Sequence, residues 1–175
     1  MKMRISVNCG HTMSGSGYGA IHNKYKESEI TRKVGKELIK ILRKAGHTGF
    51  DSTVDEARTQ NSYLEAVVRS ANGCDVDLFI SLHCNASVNH TGHGVEVYTY
   101  KGRKLDNAIK VCYEVSRLGF RNRGIRDGSH LYVVKNTKAP ALLVEMFFLD
   151  HATDQTLYTK MGHKEIARAI ARAIQ

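Results

Sequence analysis

Four polar residues of the kinds found in hydrolytic metal sites stand at the ends of predicted core strands or helices. His11 follows the first predicted strand, Glu27 opens the first long helix, and His83 and Glu145 end two apolar strands. Parallel α/β folds place their sites at the carboxyl ends of strands, so we expect these groups to lie near one another. Two histidines and one carboxylate suit a catalytic zinc that keeps one position open for water. A second carboxylate could then move protons to and from that water.

These positions alone leave the ligand set open, since a single histidine at a strand end is more often a packed structural residue than a ligand. Glu29 is an alternative to Glu27, and residues two apart on a helix point about 200° apart, so only one of them can face a site. The chain has no HExxH sequence, which excludes the helical zinc-protease arrangement. The remaining histidines are predicted in surface loops or at helix ends, and His93 and His130 could line a groove. They are His22, His47, His90, His93, His130, His151 and His163.

The elements that would position these groups alternate short apolar runs with longer amphipathic stretches. This pattern predicts an α/β fold with a mostly parallel, twisted central sheet of about six strands and helices on both faces. The predicted strands cover residues 4–8, 48–52, 76–82, 94–100, 131–134 and 141–144. The predicted helices carry residues 30–42, 55–72, 105–118 and 163–174. Because no repeat or linker interrupts the pattern, we predict that residues 1–175 form a single domain.

The net charge and the lengths of the apolar runs indicate which kinds of partner the protein can have. The net charge of +9 indicates an anionic partner or simply good solubility. The lysines are spread over several helices without interleaved aromatic residues, so nucleic acid is not favoured as a partner. No apolar run approaches about 18 residues, so no membrane insertion is expected.

The cysteines are expected to be reduced, packed thiols. Two of them lie near the histidines, but they rank below the histidines as metal ligands. The four are Cys9, Cys74, Cys84 and Cys112.

Five stretches of the chain, in order, resemble one enzyme family over nearly the whole length. They are Gly10-His11, Lys26-Glu27-Ser28-Glu29, Arg69-Ser70-Ala71-Asn72, Ser81-Leu82-His83-Cys84-Asn85-Ala86 and the strand from Pro140 to Phe148. They are similar to the zinc-dependent N-acetylmuramoyl-L-alanine amidases (Amidase_3), in particular to the catalytic domains of the clostridial phage endolysin branch. The resemblance implies hydrolysis of the amide bond between N-acetylmuramic acid and L-alanine in bacterial peptidoglycan.

The same resemblance implies roles for individual residues. His11, Glu27 and His83 would hold Zn²⁺, Glu145 would be the catalytic carboxylate, and Asn85 could contact substrate. The expected partner is peptidoglycan, with a separate cell-wall-binding domain in the full-length protein. Because the first residues show no signal peptide, we expect synthesis in the cytoplasm and action on the wall after release.

The chain departs from the family pattern after Glu145, and two other functions compete with the amidase. The family usually places Gly-Phe one residue beyond the glutamate, whereas this chain has Met146 followed by Phe147 and Phe148, which could alter the floor of the substrate groove. A zinc peptidase that cuts within the stem peptide would use similar ligands. A non-catalytic wall-binding module would need none of them.

Overall fold

The central sheet is the framework of a computed structural model that describes residues 2–15, 17 and 19–174. Within these residues the sheet has six strands: β1 (Arg4–Cys9), β2 (Thr48–Asp51), β3 (Leu78–Asn85), β4 (Val95–Thr99), β5 (Asn122–Asp127) and β6 (Ala141–Phe148). Their order across the sheet is β2-β1-β3-β6-β4-β5. Every neighbouring pair is parallel except β6 and β4, which are antiparallel. The predicted six-stranded, mostly parallel sheet is confirmed.

Helices cover both faces of this sheet, as predicted. They are α1 (Glu27–Lys44), α2 (Gln60–Gly73), α3 (Asp106–Ser116), α4 (Tyr132–Asn136) and α5 (Ala152–Ile174). Helices α1, α3 and α5 pack in one core cluster, and α2 and α4 pack in a second. None of the helices in the described part of the chain is long and apolar enough to cross a membrane.

The alternation of side chains along β3 and β6 decides which face carries the chemistry. Leu82 and Val144 belong to the core cluster under α1, whereas Phe79 and Leu143 belong to the cluster under α2. Because successive side chains of a strand point to opposite faces, the odd-numbered residues up to His83 in β3 and up to Glu145 in β6 point toward α2; the pairing of β6 with β3 becomes irregular after Glu145. His83 of β3 and Glu145 of β6 therefore share the α2 side of the sheet.

Two parts of the predicted secondary structure are wrong. Residues 131–134 were expected to form a strand but begin helix α4, where Val133 and Val134 are buried against α2. Packing of these side chains overrides the local preference of β-branched residues for strands. Strand β5 was not predicted, because its sequence Asn-Arg-Gly-Ile-Arg-Asp has one large apolar residue and not the apolar run of a core strand. It lies at the edge of the sheet, where such residues are tolerated.

Several element boundaries also differ from the sequence prediction. Strands β3 and β6 continue past His83 and Glu145 to Asn85 and Phe148, so neither residue is the last of its strand. Helix α2 begins at Gln60 rather than near residue 55. Thr59 caps it, since the Thr59 hydroxyl accepts a hydrogen bond from the Ser62 backbone N–H. Helix α5 begins eleven residues before its predicted start and is broken at Gly162, whose φ of 74° is not helical.

Candidate metal centre

The structure brings His11, Glu27 and His83 together at the carboxyl ends of β1 and β3. One ligand atom from each side chain lies within 4.8 Å of the other two. His11 Nε2 is 3.1 Å from Glu27 Oε2, and His83 Nδ1 is 3.1 Å from Glu27 Oε1. The two imidazole rings meet edge to face with their centroids 4.9 Å apart. Two nitrogens and a carboxylate so close together are a donor set that suits Zn²⁺.

The ring of His11 is oriented by the tight turn that follows β1. His11 itself has a left-handed backbone, with φ of 67°. Its Nδ1 is 3.0 Å from the carbonyl oxygen of Gly17. A carbonyl can only accept, so Nδ1 carries a proton and Nε2 is the atom that faces Glu27. A hydrogen bond of this kind on the far nitrogen fixes the ring of a metal-binding histidine.

His83 is oriented by two buried polar side chains on the floor of the site. Its Nε2 lies 3.1 Å from Ser81 Oγ, and Ser81 Oγ donates to Asn8 Oδ1 at 2.8 Å. Since the Ser81 proton is directed to Asn8, the hydroxyl oxygen accepts the Nε2 proton of His83. This arrangement leaves Nδ1 of His83 directed toward Glu27.

Glu27 is the buried carboxylate between the two rings, with 3% of its surface exposed. Its oxygens also accept hydrogen bonds from the backbone N–H groups of Ala20 at 2.8 Å and Cys84 at 3.0 Å. Burial alone would raise the pKa of Glu27, but hydrogen bonds from His11 and His83 outweigh it and hold the pKa well below its ordinary value. In His11, burial opposes the charged ring, yet the hydrogen bond to Glu27 prevails and raises the pKa. The acid is therefore ionised and ready to bind a cation.

The alternative ligands named from the sequence lie outside this cluster. Glu29 points away and pairs with Lys26 Nζ at 3.3 Å. Cys9 and Cys84 are free, buried thiols, and neither belongs to the group of ligand atoms described above. Burial raises the pKa of Cys9 to about 11, and it raises the pKa of Cys84 well above its ordinary value. Both thiols therefore stay protonated, as expected of packed cysteines.

Two glycines make room for the three side chains. A Cβ on Gly10 would lie 2.3 Å from Cε1 of His83, and a Cβ on Gly19 would lie 2.5 Å from Glu27 Oε2. Gly19 also has a positive φ of 77°. The Gly10-His11 motif thus has a steric reason, because any side chain at position 10 would occupy the space of the His83 ring.

Arg32 holds the backbone of the same turn from helix α1. Its guanidinium donates to the carbonyl oxygens of His11 at 2.8 Å and Gly10 at 3.4 Å. Its Nε also donates to Asp55 Oδ1 at 2.8 Å. Only 8% of Arg32 is exposed. The helix that supplies Glu27 therefore also fixes the backbone position of His11, a connection that the sequence patterns did not reveal.

Glu145 lies beside the cluster on the adjoining strand, paired in register with His83. Its Oε2 is buried and has no hydrogen-bond partner among the described residues. Burial, together with the negative charges of Glu27 and Glu96, raises the pKa of Glu145 well above its ordinary value. A raised pKa makes this carboxyl group hold a proton more readily than an ordinary glutamate, which suits a group that transfers protons.

These groups open into one cavity of about 430 Å³ on the α2 side of the sheet. His11, His83 and Glu145 form part of its lining, and aromatic or apolar side chains form much of the rest. The lining includes Asn8, Gln60, Tyr63, Leu64, Ser81, Asn85, Tyr98, His130, Leu131, Tyr132, Val133 and Leu143. Of the two histidines considered for a groove, His130 lines the cavity and His93 does not. Asn85 also lines it, with its amide donating to Glu96 Oε1 at 2.9 Å.

The departure from the family pattern after Glu145 lies in the core and not in the cavity lining. Met146, Phe147 and Phe148 are buried, and none of them lines the cavity. Phe147 stacks against Phe120 and Tyr158 at centroid distances of 5.7 and 5.0 Å. The expectation that these residues alter the groove floor is therefore wrong.

Glu96 is a buried acid that the sequence interpretation missed. It is 3% exposed and accepts hydrogen bonds from Asn85, Tyr98, Arg123 and Arg126. Polar residues such as Glu96 alternate with apolar ones along β4, a pattern typical of a strand with one solvated face. That face is instead the floor beside the cavity, and only the position of β4 next to β6 reveals it.

Comparisons with known proteins agree with this geometry. A sequence profile described as N-acetylmuramoyl-L-alanine amidase matches residues 5–175. An uncharacterized protein of Clostridium perfringens is 33% identical over 177 residues, covering 98% of this chain and 51% of that protein. A probable cell wall amidase of Staphylococcus aureus, LytH, is 32% identical over 166 residues, covering 93% of this chain and 53% of that protein. This chain thus spans about half the length of these curated relatives.

Among solved structures, the catalytic domain of the CD27L endolysin, whose stated target is Clostridia difficile, superimposes with a TM-score of 0.90 at 29% identity. The match covers 98% of this chain and 96% of that one. The amidase AmiC2 of Nostoc punctiforme gives a TM-score of 0.85 at 25% identity, covering 99% of this chain and 96% of the other. The α/β architecture is therefore shared with amidase catalytic domains along nearly the whole chain.

Proposed function

This chain belongs to the N-acetylmuramoyl-L-alanine amidase family, and we propose that it is a zinc-dependent peptidoglycan hydrolase. The bond that it cuts joins the lactyl carboxyl group of N-acetylmuramic acid to the amino group of L-alanine. One observation carries this proposal: two imidazoles and a buried carboxylate converge within 4.8 Å, and a second carboxyl group stands beside them on the next strand.

The residues present fit a catalytic zinc ion. His11 through Nε2, His83 through Nδ1 and Glu27 through its carboxylate would hold it, and each has a partner that fixes its orientation. Zn²⁺ in such a site supplies Lewis-acid activation of an amide carbonyl and of water. Three protein ligands leave a position open, which is typical of catalytic sites.

Glu145 supplies the proton transfers that amide hydrolysis needs. Its carboxylate accepts a proton from the water that attacks the scissile carbonyl carbon, and the C–N bond then breaks as the same carboxyl group protonates the departing alanine nitrogen. Because its pKa is raised, Glu145 holds the transferred proton more readily than an ordinary glutamate. The cavity gives this acid access to substrate, and Asn85 and His130 in its lining could contact the substrate.

Mass spectrometry of fragments from purified cell wall, digested with and without a chelator, tests the proposal. We expect stem peptides with a free N-terminal L-alanine and an intact glycan, with no product after chelation and recovery on adding Zn²⁺. Release of a different amine would identify a peptidase that cuts within the stem. Binding to wall without any product would identify a non-catalytic wall-binding module. Activity that survives chelation would reject the zinc site.

Three further expectations stay predictions. They are a cell-wall-binding domain elsewhere in the full-length protein, synthesis in the cytoplasm with action on the wall after release, and the absence of a nucleic-acid partner. Relatives about twice as long as this chain are compatible with the first of them.

A further inference from the structure

A row of four polar side chains, one on each of four neighbouring strands, crosses the sheet from the candidate metal centre to its edge. His83 of β3 pairs in register with Glu145 of β6, which pairs with Glu96 of β4. Strand β5 follows, and the register shift between Val95 and Val97 sets Arg123 near Glu96. Neighbouring strands are about 4.8 Å apart, so the edge strand lies about 10 Å from the strand of Glu145. The row therefore runs from imidazole through two acids to a guanidinium.

Two arginines share one oxygen of the buried Glu96. Arg123 Nε is 2.8 Å and Arg126 Nε is 3.3 Å from Glu96 Oε2. The other oxygen of Glu96 accepts hydrogen bonds from Asn85 and Tyr98, which both line the cavity. Two cations and one acid leave an excess of one positive charge at this end of the row. Glu96 thus fixes the two guanidinium groups next to the cavity lining.

Arg126 has unused capacity to bind an anion. Its side chain is 47% exposed, whereas that of Glu96 is 3% exposed. Only its Nε is engaged among the described residues, so the two terminal nitrogens are free to donate. A guanidinium with two free terminal nitrogens matches the two oxygens of a carboxylate.

In the substrate of the proposed amidase, the negative charge nearest to the scissile amide bond lies on its peptide side. The carboxyl group of the muramoyl unit is consumed in the scissile amide, so the nearest charge lies on the peptide. The second stem residue bears an α-carboxylate when it is D-isoglutamate and a neutral carboxamide when it is D-isoglutamine. That group is about two residues beyond the scissile nitrogen, or about 7 Å in an extended chain. The guanidinium of Arg126 lies between the strand of Glu96 and the edge strand, about 5 to 10 Å from the strand of Glu145.

We propose that Arg126, held by Glu96, binds the α-carboxylate of the second stem residue and makes the site selective for stems that carry this charge. The leaving peptide would then extend across β4 toward β5. The glycan would extend the other way, toward Tyr63 and Leu64 of the cavity lining. This inference rests on the proposed amidase function, and it adds a specificity determinant and a direction of binding.

Two muramoyl tripeptides that differ only at the α-carboxyl group of the second residue test the proposal. One carries D-isoglutamate and the other D-isoglutamine, each joined through its γ-carboxyl group to the third residue. A charge-assisted hydrogen bond predicts at least about a tenfold higher kcat/KM for the carboxylate substrate. In Arg126→Gln the ratio of the two kcat/KM values should fall toward one, and Arg126→Lys should give an intermediate ratio. Arg123 stays paired with Glu96 in both variants.

Arg117→Gln is the matched control, since Arg117 is an exposed arginine just after α3 that pairs with Glu114 away from the cavity. In Arg117→Gln the ratio of the two kcat/KM values should equal that of the wild type. A wild-type ratio near one, or an equal loss on both substrates in Arg126→Gln, would overturn the proposal. Calorimetric binding of the two free tripeptides tests the arginine independently of catalysis. Failure of the enzyme to cut either substrate at the muramoyl amide would reject the amidase function, while a tighter binding of the carboxylate peptide would still support the role of Arg126.

Discussion

Glu145 and His83 occupy paired positions on the parallel strands β6 and β3, so the acid is one strand away from the candidate metal ligands. This separation keeps Glu145 out of the ligand cluster while its carboxyl group opens into the same cavity as His83. Glu27 lies between two histidines, whereas Glu145 has a buried oxygen without a hydrogen-bond partner among the described residues. The two acids therefore suit different roles, metal binding for Glu27 and proton transfer for Glu145.

Replacing Glu145 by glutamine separates proton transfer from metal binding. Glu145→Gln keeps the shape of the side chain but removes the base, so wall hydrolysis should fall about 10²- to 10⁴-fold. Bound Zn²⁺, measured by elemental analysis, should be unchanged. Glu165→Gln on α5 is the control, since that acid pairs with Arg168 away from the site. Lysis close to the wild-type rate would refute the assignment of Glu145.

His83→Ala should lose both metal and activity. The variant removes one of the three proposed ligands, so both the Zn²⁺ affinity measured by calorimetry and the rate of wall hydrolysis should fall. His163→Ala removes a histidine that the ligand cluster does not include and should bind Zn²⁺ like the wild type. Unchanged affinity in His83→Ala would show that this imidazole is not a ligand.

Ser81→Ala should weaken metal binding without removing a ligand. The hydroxyl is the partner of His83 Nε2, and loss of such a partner typically costs about 10- to 100-fold in metal affinity. Ser116→Ala, which removes a hydroxyl that bonds the Tyr113 carbonyl on α3, is the control. Equal affinities for Zn²⁺ in the two variants would contradict the orienting role of Ser81.

Arg32→Gln should loosen the turn that carries His11. The guanidinium bonds to the His11 and Gly10 carbonyl oxygens, and unsatisfied buried groups cost about 1–3 kcal/mol each. We therefore expect a lower Tm in chelator-treated protein and a weaker affinity for Zn²⁺. Arg43→Gln, which loses hydrogen bonds to Gly49 far from the site, should lower stability without changing the affinity. An effect on Tm alone in Arg32→Gln would limit Arg32 to a stabilising role.

The stability of chelator-treated protein should depend on pH through His11 and Glu27. The pKa of His11 is raised above its ordinary 6.5, so its contribution is complete below about pH 6.5 and is lost as pH rises through the folded-state value. The pKa of Glu27 is lowered from 4.5, so its contribution is present above about pH 4.5 and is lost on further acidification. Between pH 5.5 and 8.5 the Tm of wild type should therefore fall more than that of His11→Gln. Parallel curves would show that the His11–Glu27 pair does not stabilise the fold.

The sequence was sufficient for five of the six strands of the sheet, β1 to β4 and β6, because short apolar or alternating runs mark them locally. The grouping of His11, Glu27 and His83 was expected from the family resemblance, since local patterns alone left the ligand set open. The sequence was not sufficient where long-range packing decides the outcome. Residues 131–134 became a helix because Val133 and Val134 are buried against α2. Glu96 could not be recognised, because its importance comes from the strand beside it and from two arginines 27 and 30 residues away.

The position of β6 between β3 and β4 has a consequence for the order in which the enzyme becomes competent during synthesis. A nascent chain that ends before residue 141 already contains all three proposed metal ligands, but it lacks the strand that joins one half of the sheet to the other. It also lacks Glu145, so the proposed proton-transfer group is synthesised after the three proposed ligands. Ribosome-bound fragments of this domain should therefore be inert toward the wall until almost the entire domain has emerged.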